Sequence, residues 1–219
     1  MSGARALTPT EIPLLLSAAR TPKSAAFLLL GISTGFRCRE LLCLRFSDVS
    51  YAGQPAYSVT VPRRLMKNGR SATRRRSAQG RTVPLNAHAR AAIALLLREA
   101  PPPTRYLFAS RVGGNRPVTV QMAIKWVRTM ATDAGIDPRR VTTHSLRKTF
   151  AMRLHDITGS VVAVSRGLGH RSLEVTAAYL DIEQQQVDDA VLAMAAGPVL
   201  AAPADFLPAS CAVPAALTA

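Results

Sequence analysis

Residues 33–44 have the sequence STGFRCRELLCL, which joins the end of one predicted helix to the start of the next. The apolar segment over about 23–34 predicts a helix that stops at Gly35, because glycine readily adopts the left-handed conformation found at helix C-termini. A second helix is predicted over about 37–44, with Glu40 on its inward side. The stretch therefore indicates a short turn between two helices, with charged side chains beside it.

The rest of the chain is predicted to be mainly α-helical with a small antiparallel β-sheet, an α+β fold. Two short runs bounded by proline and glycine, Tyr57–Val61 and Thr82–Leu85, have the pattern of strands. Further helices are predicted at about 86–100, 119–134, 144–157, 161–168, 173–180 and 183–196. From Gly197 onward the sequence is rich in alanine and proline without a usable period, which indicates a flexible tail.

Charge divides the chain into two parts. The 219 residues carry 28 Lys and Arg against 13 Asp and Glu, a formal net charge of +15. Residues 1–171 hold all 28 basic residues and seven acidic ones, a balance of +21, whereas residues 172–219 hold six acidic residues and no basic one. A strongly basic body indicates a polyanionic partner, most commonly nucleic acid.

Composition argues against several other classes of protein. The sequence contains no run of about 18 apolar residues, so it predicts no membrane span. The N-terminal MSGARALTPT has no apolar signal core, and a cytoplasmic location is therefore expected. The odd set of Cys38, Cys43 and Cys211 contains no CxxC pair, which argues against a disulfide framework and a cysteine-based zinc site. Aromatic residues make up only 5%, too few for a platform that stacks single-stranded bases.

The segment 63–81, RRLMKNGRSATRRRSAQGR, contains eight basic residues and no acidic one, and it lies between the two predicted strands. One interpretation is a solvated, disordered loop. The other is a long hairpin tip that lies along a phosphate backbone. The flanking strands favour the hairpin because they hold the segment in a fixed place. The predicted DNA-binding residues are Arg63, Arg64, Arg70, Arg74, Arg75, Arg76 and Arg81.

Two further segments complete a recognisable pattern: THSLRKTFA at 143–151 and LGHRSLEVTAAYL at 168–180. With residues 33–44 they supply a TGxRxxEL motif, an HxLR motif, an LGH motif and a tyrosine nine residues after the last histidine. This order and spacing resembles the catalytic domain of the tyrosine recombinases, the phage-integrase and Xer-type family. The resemblance covers about residues 7–183.

The resemblance implies a tyrosine recombinase catalytic domain over residues 1–183, without the usual N-terminal DNA-binding domain. Residues 184–219 would form a C-terminal helix and flexible tail that is exchanged between protomers. The implied activity is site-specific cleavage and rejoining of double-stranded DNA through a 3′-phosphotyrosine, with no metal or other cofactor. The implied partners are DNA, where the protein would join the nucleoid, and three further copies in a tetramer assembled from monomers. The implied catalytic residues are Arg37, Lys67, His144, Arg147, His170 and Tyr179, with Glu40 orienting a neighbouring side chain.

Physical chemistry gives an independent reason for these residue types. Displacement at a phosphodiester concentrates negative charge on the non-bridging oxygens, where Arg37 and Arg147 can donate paired hydrogen bonds while staying charged. Histidines can donate hydrogen bonds or transfer protons near neutral pH. A tyrosine hydroxyl, with an ordinary pKa of about 10, needs such a cationic site before it attacks readily. The resemblance implies that Lys67 is the general acid for the leaving 5′-hydroxyl, and an electropositive loop can lower the pKa of a lysine, which suits that role. The alternative is that Lys67 is one more phosphate contact.

Simpler interpretations exist for each residue taken alone. Arg37 and Glu40 could form a surface ion pair at i,i+3, and His144 and His170 could be structural histidines. Tyr179 could belong to an apolar core. The joint pattern favours catalysis over these separate explanations. At the level of the whole protein, the alternatives are a type IB topoisomerase-like nicking and closing enzyme, or a DNA-binding regulator that has kept the fold.

The basic segment generates a prediction about salt. Replacing Arg74, Arg75 and Arg76 together with alanine should weaken DNA binding about equally on any sequence, because phosphate contacts carry no sequence information. The slope of log affinity against log salt should become shallower by about 2–3, because binding releases about one counterion fewer for each phosphate contact that is lost. Fluorescence anisotropy on two unrelated duplexes over a salt series measures both quantities. An unchanged slope would mean that the segment is a solvated spectator.

Overall fold

The computed structural model describes residues 3–61, 81–99, 105–112, 115–169 and 176. The chain divides into two units, Met1–Leu180 and Asp181–Ala219, and every described residue belongs to the first. The helices and strands of the described residues are, in chain order, α1 (Glu11–Ser17), α2 (Pro22–Thr34), α3 (Cys38–Leu42), α4 (Phe46–Val49), β1 (Ser50–Tyr51), β2 (Gln54–Pro55), β3 (Ser58–Val61), β4 (Arg81–Pro84), α5 (Ala87–Glu99), α6 (Val120–Asp133), α7 (Thr143–Thr158) and α8 (Val161–Leu168).

Helix α2 is the centre of the core. It begins with a capping box, in which the Thr21 side chain accepts a hydrogen bond from the Ser24 amide and the Ser24 hydroxyl accepts one from the Thr21 amide. Pro22 occupies the first helical position, where a missing N–H costs nothing. Side chains such as Phe27 and Leu30 are buried, and α5 and α7 pack against the helix. The helix predicted over about 23–34 is confirmed.

Two short antiparallel hairpins supply the strands of the described residues. The pair β3–β4 runs in register from Ser58 opposite Pro84 to Val61 opposite Arg81. The prediction of a small antiparallel sheet is confirmed, and each predicted strand lies within one residue of the observed one. The hairpin β1–β2, closed by a turn at Ala52 and Gly53, was not predicted. Strands of two residues are too short for a period-2 pattern to show.

The position of Arg81 differs from the expectation that it belongs to an exposed loop. It is the first residue of β4, and its side chain shares the buried face of the hairpin with Val59, Val61 and Val83. Successive residues of a strand point to opposite faces, so the residue opposite buried Val61 must also point inward. The other predicted DNA-binding arginines, all in the 62–80 segment, lie outside the described residues.

Helices α7 and α8 form a second, smaller apolar cluster. Helix α7 contains the HxLR motif, and α8 ends at the leucine that begins the LGH motif. Buried Ala151, Val164 and Leu168 pack there with Phe150 and Leu154. The two helices match those predicted at 144–157 and 161–168. The helices predicted at 173–180 and 183–196, and the tail after Gly197, lie outside the described residues except for buried Thr176. Within the described part of the chain, no helix has the length and apolar character needed to cross a membrane.

Candidate active site

A turn between α2 and α3 presents Arg37. Helix α2 ends at Gly35, which has a φ of 60°, in the left-handed region that favours glycine. The Phe150 ring of α7 also packs so closely that a Cβ at Gly35 would clash with it. Glycine is therefore required here both by the backbone conformation and by the contact with α7. The turn brings Phe36 into the core and leaves Arg37 partly exposed at the start of α3.

Glu40 fixes Arg37 through two hydrogen bonds. Its carboxylate accepts one from the Arg37 amide at 2.8 Å and one from the Arg37 Nη1 atom at 3.0 Å. Glu40 is 2% exposed, whereas the Arg37 side chain is 34% exposed. A buried carboxylate that binds both the backbone and the guanidinium restricts Arg37 to one orientation. The pair is thus more than a surface ion pair: the carboxylate is inside the protein, and the guanidinium reaches solvent.

Arg147 on α7 joins the α2–α3 turn to the end of α8. Its Nη1 atom donates a short hydrogen bond to the Gly35 carbonyl, and its Nη2 atom donates to the Leu168 carbonyl at 2.8 Å. The side chain is only 2% exposed. Leu168 is the last residue of α8, and Gly169 follows with a φ of 65°. Arg147 therefore fixes the position of the segment that leads into His170, although His170 itself lies outside the described residues.

His144 lies one turn before Arg147, in the first turn of α7. Thr142 caps the start of the helix, and its hydroxyl accepts a hydrogen bond from the His144 amide at 3.2 Å. Burial lowers the pKa of His144, and the positive charges of Arg147 and Arg37 lower it further. At neutral pH the imidazole is therefore mainly neutral, and one of its nitrogens can accept a proton.

Arg81 adds a third guanidinium to this cluster. Its Nη2 atom donates to the Thr34 carbonyl at 3.0 Å, and its Cζ atom lies 4.6 Å from the centre of the Phe36 ring. Burial lowers the pKa of Arg81 to about 10, and Arg147 acts in the same direction while Glu40 opposes it. The group therefore remains charged at neutral pH. Sequence reasoning did not place Arg81 in the site, although the alternation of buried valines in the hairpin was a signal for its inward direction.

The structure brings together one group of the predicted site residues, and the others lie outside the residues that it describes. The described members that converge are Arg37, Glu40, Arg81, His144 and Arg147. Outside the described residues lie Lys67, His170, Tyr179, Arg63, Arg64, Arg70, Arg74, Arg75 and Arg76. Their roles stay predictions. In the described part of the chain, no three His, Cys, Asp or Glu side chains are grouped as a metal site would need.

The fold agrees with comparisons against known proteins. The family model described as "Phage integrase family" matches residues 5–186. The chain belongs to this family. Tyrosine recombinase XerD of Caulobacter vibrioides is 30% identical over 191 residues, which cover 81% of this chain and 57% of that protein. Tyrosine recombinase XerC of Xanthomonas campestris is 28% identical over 183 residues, or 82% of this chain and 48% of that protein.

Solved structures of tyrosine recombinases share the fold. The XerA recombinase superposes with a TM-score of 0.67 at 23% identity, covering 90% of this chain and 66% of that one. The Tn1549 transposon integrase, in a complex with circular intermediate DNA, superposes with a TM-score of 0.68 at 16% identity, covering 89% and 67%. The phage-integrase chain described here spans about half to three fifths of the length of the curated relatives. The predicted family and fold class are confirmed.

The ion pair at the site generates a prediction about stability. Glu40→Gln keeps the shape of the side chain but removes the charge that offsets the guanidinium of Arg37. The free energy of unfolding should fall by about 1–3 kcal/mol, because a buried charge-assisted hydrogen bond is lost and its donors stay in place. Urea unfolding followed by circular dichroism at neutral pH measures the change.

Glu11→Gln is the matched control, since Glu11 also binds an arginine, Arg5, and a backbone amide, that of Thr8. Its side chain is 16% exposed, so its replacement should cost less than that of Glu40. Arg5 holds the pKa of Glu11 at about 2, below its ordinary value of 4.5. The contribution of Glu11 is therefore complete above about pH 4.5 and is lost as the pH falls through about 2. Equal losses for the two variants at neutral pH would contradict the role assigned to Glu40.

Proposed function

We propose that the protein is a site-specific DNA recombinase that cleaves and rejoins double-stranded DNA through a covalent tyrosine intermediate. The observation that carries the proposal is the convergence of Arg37, His144 and Arg147, from two distant parts of the sequence, with Arg37 held by the buried carboxylate of Glu40. Positive charge exceeds negative charge in this cluster. Such a site favours an anion, and a phosphodiester is the anion that a strongly basic body attracts.

The described residues fit particular parts of this reaction. The exposed face of Arg37 can donate hydrogen bonds to the non-bridging oxygens of the scissile phosphate, which gain charge in the transition state. Arg147 is buried and already binds two carbonyls, so it contributes its positive charge and holds the site together. Neutral His144 can take the proton that the attacking hydroxyl releases. Each donor of this kind typically lowers the reaction barrier by about 3–4 kcal/mol.

The bond changes involve residues beyond the described part of the chain. In the proposed reaction the Tyr179 Oη atom attacks phosphorus, a 3′-phosphotyrosine bond forms and the bond to the 5′ oxygen breaks. The tyrosine proton passes to a base, for which His144 is suited, and Lys67 gives a proton to the leaving 5′ oxygen. His170 donates a further hydrogen bond to the phosphate. Attack by the freed 5′-hydroxyl reverses the sequence, and the steps balance with no metal or high-energy cofactor.

Assembly into a tetramer is the second part of the proposal. Residues 183–196 carry Val187, Val191 and Met194 at helical spacing, within an acidic part of the chain. The described body offers a groove of about 730 Å³ between α1, α2 and α7, lined by apolar side chains such as Leu16 and by Arg153. An acidic helix with one apolar face matches such a groove on a neighbouring protomer in hydrophobicity, and the net positive charge of residues 1–171 attracts it.

The function is tested with a library of nicked, random-sequence duplexes. The protein is incubated with the library, covalent protein–DNA adducts are isolated on denaturing gels, and the attached DNA is sequenced. A recombinase should enrich one sequence and exchange strands between two duplexes of different length that contain it. Relaxation of supercoiled plasmid without strand exchange would favour the topoisomerase alternative, and binding without any adduct would favour the regulator.

Tyr179→Phe tests the nucleophile. The change removes only the hydroxyl, so affinity for DNA should stay within about twofold, while the covalent adduct should disappear because the attacking oxygen is gone. Tyr51→Phe is the matched control, since Tyr51 is 86% exposed and lies in β1. It should form the adduct at the rate of the unchanged protein. An adduct formed by Tyr179→Phe would overturn the assignment.

Deletion of residues 184–219 tests the assembly. The shortened chain should fold and bind a duplex but should not join two duplexes in a tetramer, because the docking helix is absent. Sizing of protein–DNA complexes by analytical ultracentrifugation distinguishes these states. A Val191→Asp variant of the full chain provides a milder version of the same test. Equal assembly of the full and shortened chains would mean that the tail has no role in it.

A further inference from the structure

Arg81 stands at the base of the hairpin from which the basic segment departs. It is the first residue of β4 and pairs with Val61, the last residue of β3. Residues 62–80, with the proposed general acid Lys67, connect these two positions. The Arg81 side chain is 9% exposed, so it is not a surface contact for a phosphate backbone. Its role must lie inside the protein.

The guanidinium of Arg81 holds the turn that carries Arg37. Its hydrogen bond to the Thr34 carbonyl and its stacking on the Phe36 ring lie on either side of Gly35. A cation over an aromatic face is attracted by the ring quadrupole, and more strongly when it is shielded from water. The Gly35 carbonyl accepts the hydrogen bond from Arg147. Two arginines therefore bind consecutive carbonyls at the end of α2.

The aliphatic part of Arg81 also contacts the segment that leads to His170. A Cβ atom at Gly169 would lie 3.0 Å from the Arg81 Cδ atom, which shows how closely the side chain approaches this backbone. Gly169 follows the Leu168 carbonyl that Arg147 binds. Arg81 and Arg147 thus connect the same two segments, the α2–α3 turn and the end of α8, from different elements.

This arrangement costs stability that a packing role alone would not require. The Nη1 atom of Arg81 is buried and has no hydrogen-bond partner among the described residues. Arg147 and Arg37 are close enough to lower the pKa of Arg81, and Glu40 opposes them. Replacing a buried charged group with an apolar side chain of similar volume is often neutral or stabilising. Arg90 also has a buried nitrogen without a partner among the described residues, so what distinguishes Arg81 is its contact with two segments of the site.

We propose that Arg81 is a positioning residue for the cleavage reaction proposed above. It holds the Arg37 turn against the segment that leads into His170, and it does so from the first residue of β4. The inference rests on the proposed function, since positioning matters only if Arg37 acts on a phosphate. It predicts that Arg81 is needed for cleavage and not for DNA binding.

The test uses Arg81→Met and Arg81→Lys, with Arg90→Met as the matched control. Arg90 also stacks on an aromatic ring, that of Tyr57, with its Cζ atom 4.3 Å from the ring centre, and its Nε atom is also buried without a hydrogen-bond partner among the described residues. It differs from Arg81 because no hydrogen bond, ion pair or ring contact of the described residues joins it to the α2–α3 turn. Each variant is assayed well below its own melting temperature, so that loss of fold does not enter the comparison.

Two measurements are made on each variant. The first is the single-turnover rate of adduct formation at saturating DNA, on a nicked duplex that the unchanged protein cleaves, with affinity measured separately by anisotropy. Arg81→Met should slow cleavage about 10- to 100-fold, because small misplacements of catalytic groups cost this much. Its affinity should stay within twofold. Arg81→Lys, which keeps the charge and one donor, should recover part of the rate, and Arg90→Met should cleave within twofold of the unchanged protein.

The second measurement is amide hydrogen exchange without DNA, in peptides that cover residues 34–37 and 166–169. Exchange should rise in both for Arg81→Met and in neither for Arg90→Met, because only the former loses the connection between them. If the unchanged protein cleaves no duplex, the proposed function fails, and the exchange data still decide whether Arg81 holds the two segments. The inference is overturned by unchanged exchange, by full cleavage in Arg81→Met, by parallel losses of binding and cleavage, or by an equal defect in Arg90→Met. If Arg81→Met does not fold, Arg81→Lys decides on the same criteria.

Discussion

The buried guanidinium of Arg147 is the interaction on which the site depends. A charged group removed from water must find hydrogen-bond acceptors, and Arg147 finds them in the carbonyls of Gly35 and Leu168. Both lie at helix C-termini, where carbonyls lack partners within the helix and carry partial negative charge. The same bonds therefore pair two nitrogens of the arginine with carbonyls at the ends of α2 and α8. Both helices end in a left-handed glycine, Gly35 or Gly169, which turns the chain sharply just beyond them.

The described side chains of the site carry more positive than negative charge. Arg81 lies close to Arg37, to Arg147 and to the buried carboxylate of Glu40, so an anion that enters would gain favourable interactions that the free protein lacks. Burial and the same excess of positive charge lower the pKa of His144. A site with stronger pairing would be more stable on its own and would bind a phosphate less well. In the proposed function, repulsion among the arginines is the cost of a site that is ready for a phosphodiester before DNA arrives.

Sequence patterns predicted the long elements and missed the short ones for one reason. Helices such as α2 and α7 extend over several turns, so their apolar spacing, caps and terminal glycines give repeated, consistent signals. Helix α4 has four residues and the β1–β2 hairpin has strands of two, so each spans only about one period of its pattern and the pattern does not repeat. These elements form because the chain around them is held by the core, which is information that a local window does not contain.

The sequence by itself determined the family, the order of the proposed catalytic residue types and the chemistry that those types can perform. It also predicted that Glu40 would lie on the inward side of its helix and close to Arg37, three residues before it. Only the tertiary structure decided that Arg81 would leave the basic segment and join the site. That outcome depends on Arg81 meeting Thr34, Phe36 and Gly169, which are separated from it by 47, 45 and 88 positions in the printed sequence. Contacts over such separations arise from packing of whole elements, and no local spacing in the chain encodes them.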